Sequence, residues 1–333
     1  MPEAFTGILL AVLALAIIFD YINGFHDTAN AIATSVSTRA LKPQWAIAMS
    51  AVANFAGALT GTAVAKTIGS GLVDQQFEGQ VVVAAALVGA IVWNLITWRL
   101  GIPSSSSHAL IGGLLGASAA AFGFGAWNID GIIGKVIVPL VSSPVAGLLI
   151  GLLLMMVIFN VFRHANPKKL QDRFRRLQVL SAGYMAFSHG SNDAQKTMGV
   201  MTLALVSAGV LTDFKVPLWV IILAASAISL GTAAGGWRII RTMGTRVVKL
   251  DPVHGFAAET TAATIIFGAS QLGMPVSTTH VISSAIMGTG VSDRFNSVRW
   301  GIARNIGIAW VLTLPLSGLT AAVAYWVLNP ILG

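Results

Sequence analysis

The sequence predicts an all-α polytopic membrane protein made of two inverted-topology repeats, each of about five crossings and each containing broken or re-entrant helices. Three observations predict it. Apolar runs recur along the whole chain, basic residues gather in the short connections between them, and two polar elements occur twice in the same order.

Apolar side chains make up 55% of the 333 residues and charged ones 10%, against roughly 25% charged in a soluble globular chain. The runs at 5–19, 46–65, 81–96, 145–162, 218–230 and 306–328 approach or exceed the ~20 residues a helix needs to cross a bilayer. A soluble helical protein would need polar faces that few of these runs provide. The first run has no Lys or Arg before it and continues into the polar stretch 20–30, unlike a cleaved leader. The absence of Cys excludes a thiolate metal centre and a disulfide framework. A net charge of +8 could suggest nucleic acid, but its distribution argues against such a partner. The basic residues sit in inter-helix loops, as the positive-inside rule describes.

Those loops give a topology. Arg163, Lys168, Lys169, Arg173, Arg175 and Arg176 fall in one hydrophilic stretch, 163–178, expected to be a cytoplasmic linker. Arg238, Arg241, Arg246 and Lys249 are expected on the same side, with Arg39, Lys42, Arg99, Arg294 and Arg299. Glu3, Asp74 and Glu78 mark the opposite side. About five crossings then precede the linker and about five follow it. An odd number per half makes the second half enter from the opposite face, giving a first repeat over 1–162 and an inverted second repeat over 179–333.

Internal duplication supports that arithmetic. Gly101-Ile102-Pro103-Ser104-Ser105-Ser106-Ser107-His108 matches Gly273-Met274-Pro275-Val276-Ser277-Thr278-Thr279-His280, and Gly116 and Gly288 follow at the same distance. Gly24 and Asp27, in 24–30, pair with Gly190 and Asp193, in 190–196. Each half carries the Gly-x-x-Asp element first and the Pro-Ser/Thr-His element about 80 residues later. Polar elements at matching places in two inverted halves point to a secondary transporter whose site lies at the repeat interface near the midplane.

Each polar element is expected to break a helix, and Pro103 and Pro275 are expected to open new ones inside the membrane. A helix N-terminus carries partial positive charge and free N–H groups, so two facing each other would bind a tetrahedral oxyanion. The competing reading gives the hydroxyls to backbone groups of their own helices; a duplicated run ending in His favours binding. Asp20, Asp27, Asp193 and Glu259 stand in apolar surroundings, with Lys196 near Asp193. A charge at the bilayer centre costs at least ~2.5–3.5 kcal/mol, so such residues serve function or are paired. Leu87 stands where Glu259 stands in the other half, which makes Glu259 an asymmetric candidate for a coupling ion or proton.

The stretches 20–34, 188–196 and 275–280 resemble the signatures of the inorganic phosphate transporter (Pit) family, and 103–110 resembles its bacterial branch. The resemblance spans essentially the full chain and matches the short bacterial forms. It implies phosphate bound between the two repeats, a homodimer, and a bacterial-type cytoplasmic membrane. It assigns Asp27, Asn30, Asn192 and Asp193 to phosphate and coupling cation, with Asp27 and Asp193 as ligands of Na⁺ or of the metal in a metal–phosphate complex. It places Ser105, Ser106, Ser107, Ser277, Thr278 and Thr279 at the oxyanion-facing helix starts, and Glu259 at a glutamate important for transport. Two departures matter: sodium-coupled members tend to carry Asn at His26 and a neutral residue at Lys196. Lys196 would then pair with phosphate or Asp193 in place of a cation. His26, with an intrinsic pKa near neutrality, is a proton candidate beside a purely structural imidazole.

No resident cofactor is expected; H⁺ or Na⁺ travels with the anion, or a divalent metal does. Carboxylates at an anion site make sense only if they hold the cation. A channel would conduct without coupling. An intramembrane hydrolase would show a His-Glu-x-x-His or Gly-x-Ser-x-Gly motif, and neither occurs, so no enzyme activity is expected. Sulfate is the nearer rival. Phosphate donates a proton to a carboxylate at neutral pH and sulfate does not, which favours phosphate.

Overall fold

A computed structural model describes residues 6–73 and 79–332; Glu3, Asp74 and Glu78 lie outside the described residues. Helices come in two matching series. The first is α1 (Gly7–Ser37), a bent pair α2 (Pro43–Ala58) and α3 (Ala63–Ser70), α4 (Gln80–Leu100), α5 (Ser106–Phe122), and a short α6 (Ile129–Ile132) that runs through a π-helical turn into α7 (Val138–Val161). The second is α8 (Pro167–Ser207), a bent pair α9 (Leu218–Ala234) and α10 (Trp237–Arg241), α11 (Pro252–Gln271), α12 (Thr278–Asp293) and α13 (Trp300–Leu332). Even the single 3-10 turns after α5 and α12, Phe124–Ala126 and Phe295–Ser297, correspond.

Four helical segments are long and apolar enough to cross a membrane by length and composition, and the two bent pairs, kinked by 72° and 61°, bring the number to six. Fewer elements pass this test than the ten crossings expected, because α8 and α11 are diluted by polar residues and α5 and α12 are short.

The two series run in opposite directions and exchange parts. Thr38, just past the end of α1, donates to Gln178 Oε1 early in α8 at 2.7 Å, whereas Asp20 in the first half of α1 lies beside Thr197 late in α8. The equivalent helices α1 and α8 are therefore antiparallel. In addition, α2 packs on α8 while α9 packs on α1, and α7 packs on α12 while α13 packs on α5 and α4. Each repeat completes the other.

Three expectations are corrected. The stretch 163–178 is not a linker over most of its length: α8 begins at Pro167, with the Asn166 side chain accepting from Lys169 N–H. An Asn N-cap followed by Pro is a strong helix start, and Lys, Arg and Gln sustain a helix as well as apolar residues do. Hydrophilic composition there reports exposure, not coil. Next, the Gly-x-x-Asp elements break nothing, since 24–30 and 190–196 lie inside the continuous α1 and α8. Finally, Pro103 and Pro275 do not open helices; α5 and α12 start after N-caps at Ser105 and Ser277, whose hydroxyls accept from His108 and His280 N–H at 3.2 Å each. The prolines hold the preceding chain extended, and the serines supply the start.

The breaks themselves are fixed by two left-handed glycines and two threonines. Gly101 and Gly273 both have φ +67°, the conformation that stops a helix at little cost only for Gly. Thr242 donates to Gly101 O at 3.0 Å from the end of the second bent pair, and Thr67 donates to Gly273 O at 2.7 Å from the first. Each repeat's bent pair thus holds the other's break.

Bringing α9 onto α1 and α2 onto α8 requires backbone-to-backbone contact. A Cβ on Gly24 would lie 2.3 Å from Ile228 O, and one on its counterpart Gly190 2.1 Å from Asn54 O. Gly24→Ala and Gly190→Ala are therefore expected to destabilise by about 1–3 kcal/mol, the usual cost of overpacking. This would be read as a lower melting temperature in detergent. Gly307→Ala, with nothing within 4 Å of the added carbon, is expected to leave it unchanged.

Candidate functional site

Antiparallel packing of α1 on α8 brings Asp27 and Asp193 to the centre of the molecule. One ligand atom from each of Asp27, His189 and Asp193 lies within 4.8 Å of the others. Each carboxylate has its own imidazole. His26 Nδ1 is 2.7 Å from Asp27 Oδ1, and His189 Nε2, one helical turn before its partner, is 3.1 Å from Asp193 Oδ2. The far nitrogens are anchored. His26 Nε2 lies 3.1 Å from Thr97 Oγ1, to which Ser104 donates at 2.9 Å. His189 Nδ1 lies 3.0 Å from Asn54 Oδ1, and Asn54 donates to Thr232 at 2.8 Å.

Two helix N-termini close on this centre. Lys196 Nζ donates to Asp193 Oδ1, to Ser107 Oγ in the first turn of α5, and to Val276 O at 3.2 Å just before α12. Asn30, which matches Lys196 in the first repeat, donates to Thr278 at 3.2 Å and Thr279 at 2.9 Å. Thr278 donates in turn to Asp193 Oδ2 at 3.2 Å. The equivalent residues His108 and His280 meet with their rings tilted by 46° and their centroids 4.7 Å apart, and His280 stacks on Trp310 at 4.1 Å. Equivalent residues in mutual contact mark a pseudo-twofold axis through the site.

The predicted residues do not all share one task. Ser105 and Ser277 are occupied as N-caps. Ser107 and Thr278 bridge α5 and α12 to α8, and Ser106 Oγ is buried with no partner. Asn192 turns away from the carboxylates, donating to Ser270 at 2.9 Å and to Met274 O at 3.3 Å, and so ties α8 to the second break. Glu259 stands apart in a cage of its own. Thr34 and Ser181 donate to it, and Gln178 Nε2 donates at 3.2 Å. Thr34 follows Asp27 by two helical turns, about 10 Å along α1. None of the predicted residues, Glu259 included, is more than 2% exposed, so this conformation is closed to both sides.

Sequence reasoning did not single out His189, Asn54, Thr97, Gln178 or Ser181. His189 was findable, because its spacing from Asp193 puts both on one helical face. The others come from α2, α4 and α8 and join the site only through tertiary packing.

Chemically, the arrangement offers two helix N-termini with hydroxyls and free N–H groups, which suit an oxyanion. Against them stand two carboxylates, which suit a cation. Burying these charges costs at least ~2.5–3.5 kcal/mol each, more than a purely structural crossing requires.

A family model described as the phosphate transporter family matches the chain twice, over residues 23–171 and 162–321. A "Probable low-affinity inorganic phosphate transporter" of Bacillus subtilis is 51% identical over 327 residues, covering 97% of each chain. A protein of the same description from Rhizobium meliloti is 48% identical over 321 residues, covering 96% of each. Among solved structures, one described as "The sodium-dependent phosphate transporter" superposes with a TM-score of 0.90 at 27% identity, over 98% of this chain and 100% of that one. The family match repeats along the chain as the helices do, and these relatives span nearly all of it; the protein is a multi-pass membrane transporter, not an enzyme, and belongs to the phosphate transporter family.

Proposed function

We propose that the protein is a cation-coupled symporter that imports inorganic phosphate across a bacterial cytoplasmic membrane by alternating access at the pseudo-twofold centre. The observation that carries this reading is the meeting of two Ser/Thr helix N-termini on the Asp27–Asp193 pair. Phosphate is held by the N-termini of α5 and α12 with Ser106, Ser107, Thr278, Thr279 and Asn30. Lys196 lies close enough to both Asp193 and Ser107 to bridge carboxylate and anion. The basic start of α8 faces the cytoplasm, and the transporter works as a homodimer.

Phosphate enters with one or two negative charges against a potential worth about 2.3 kcal/mol per charge per 100 mV, so accumulation requires positive charge to travel with it. The related solved structure is described as sodium-dependent. This chain places an ammonium at Asp193 and an imidazole at each carboxylate. We read Lys196 as standing in for one bound cation and His26, with Asp27, as carrying a proton; Glu259 in its separate cage binds a further coupling ion. A second reading, carriage of phosphate as a neutral divalent-metal complex, is favoured by the Asp27–His189–Asp193 cluster, whose oxygen and imidazole donors suit such ions.

Labelled phosphate uptake into proteoliposomes, with pH and Na⁺ gradients imposed separately, divalent metal added or chelated, and sulfate as competitor, separates these readings. Asp27→Asn and Asp193→Asn are each expected to lower driven accumulation at least tenfold; wild-type accumulation in either variant would refute the mechanism. Lys196→Asn is expected to make uptake depend on external Na⁺, measured as a rise in initial rate on replacing choline with sodium, because the vacated position at Asp193 then requires a cation.

A further inference from the structure

We infer that Asp20, Asn23 and Thr197 form an additional monovalent-cation station, placed on the side of Asp27 opposite to Glu259. The inference rests on the cation-coupled reading above and extends it to a residue which that reading does not use.

Asp20 is fully buried in α1, and neither of its carboxyl oxygens has a hydrogen-bond partner. Asn23 and Thr197 face it, and Asn23 Oδ1 and Thr197 Oγ1 are buried without partners as well. The charged groups acting on Asp20 are Asp193 and Lys196, both on α8 and both already engaged with each other. Four unpartnered oxygens thus lie in one place, and the only hydrogens that Asn23 and Thr197 can turn toward Asp20 are those of the Asn23 amide and the Thr197 hydroxyl, both neutral. A buried acid is neutralised by a proton or a bound cation. A proton on Asp20 would donate to Asn23 Oδ1 while Thr197 donates to the other carboxyl oxygen; a sodium ion would accept all four as ligands. Both are hard monovalent cations, and the shared requirement is a single positive charge.

Position along α1 supports a transport role. Asp20, Asp27 and Thr34 follow one another at intervals of two turns, so they share a face. Thr34 is bonded to Glu259. One face of α1 therefore passes from Asp20, to the Asp27–Asp193 centre, to the Glu259 cage, in steps of about 10 Å. The scaffold does not demand the acid. The counterparts of Asp20 and Thr197 in the other repeat are Ala186 and Ala31, and both are fully buried in tight packing. A crossing that closes with two alanines in one copy carries an unpartnered carboxylate and a hydroxyl in the other.

Asp20→Asn, Asp20→Glu and Thr197→Val are to be compared with the wild-type chain in proteoliposomes. Two quantities are read: accumulation driven by a pH or a Na⁺ gradient, and phosphate–phosphate exchange without any gradient. Asp20→Asn is expected to lower driven accumulation at least tenfold relative to its own exchange rate, and Asp20→Glu to restore most of it. The gradient that drives the wild type identifies the cation. If Asp20→Asn loses exchange too, as a misfolded protein would, Thr197→Val decides. It is expected to raise the half-saturating concentration of the driving cation at least threefold without changing that for phosphate. Wild-type coupling in Asp20→Asn, or an unchanged cation dependence in Thr197→Val, would overturn the inference while leaving the coupled reading intact. A wild-type protein that exchanges phosphate but responds to neither gradient would overturn both.

Discussion

Two carboxylates buried at the crossing of α1 and α8 are the constraint around which the remaining structure is arranged. Asp27 and Asp193 cannot be left bare in a low-dielectric interior, and every neighbouring element contributes something to satisfy them. Imidazoles come from their own helices, an ammonium and a threonine hydroxyl reach Asp193, and the N-termini of α5 and α12 point toward the pair. Those N-termini exist only because α4 and α11 stop at left-handed glycines. The stops hold because Thr242 and Thr67 tether the released carbonyls from the opposite repeat. Close glycine contacts let α9 and α2 lie against α1 and α8 at all. Charge at the centre, breaks around it and small residues at the crossings form one connected solution.

Much of this was legible in the sequence because the chain states it twice. Repetition identified the breaks near Pro103 and Pro275 and the paired aspartates, and the basic loops gave the parity of the halves, without any knowledge of packing. What repetition could not convey is exchange. That α13 packs on α5, α7 on α12, and each bent pair on the other repeat's break depends on which apolar faces meet, and Leu, Ala and Gly patterns do not name their partners. The bends within 43–70 and 218–246 were missed for a related reason. Neither contains a proline at the kink; the second turns at Gly235-Gly236, with Gly235 at φ +75°, a local signal hidden among the many glycines of the apolar runs. Reading 163–178 as a linker took hydrophilicity for irregularity, although Asn166-Pro167 is a helix start in plain view.

Departures from the repeat carry more functional information than the repeat does. Pseudo-symmetry suits an anion with several equivalent oxygens, since two like helix ends then donate alike. On the proposed reading, cations are handled by the residues that break it. Lys196 faces Asn30 across the axis, Glu259 has Leu87 as its counterpart, and His189 matches Asn23. The Glu259 cage shows how complete such a departure is. Its Gln178 and Thr34 correspond to Val12 and Val200, which with Leu87 are buried in the apolar core of the other half. Three polar residues from α1, α8 and α11 were exchanged together, as expected if a carboxylate in hydrocarbon is tolerable only when its whole shell is polar.

That division has a mechanical consequence. In a perfectly symmetric protein the inward- and outward-facing states would be related by the twofold rotation and equal in energy, and bound phosphate, touching both halves alike, would not distinguish them. A ligand shifts a conformational equilibrium only by its differential affinity for the two states. Groups without a counterpart across the pseudo-twofold, Glu259 with its cage and the Lys196–Asp193 pair, are therefore where a cation can bind one state better than the other. On this view the duplicated hydroxyls set what is carried, and the unduplicated charges set in which direction the loaded site opens.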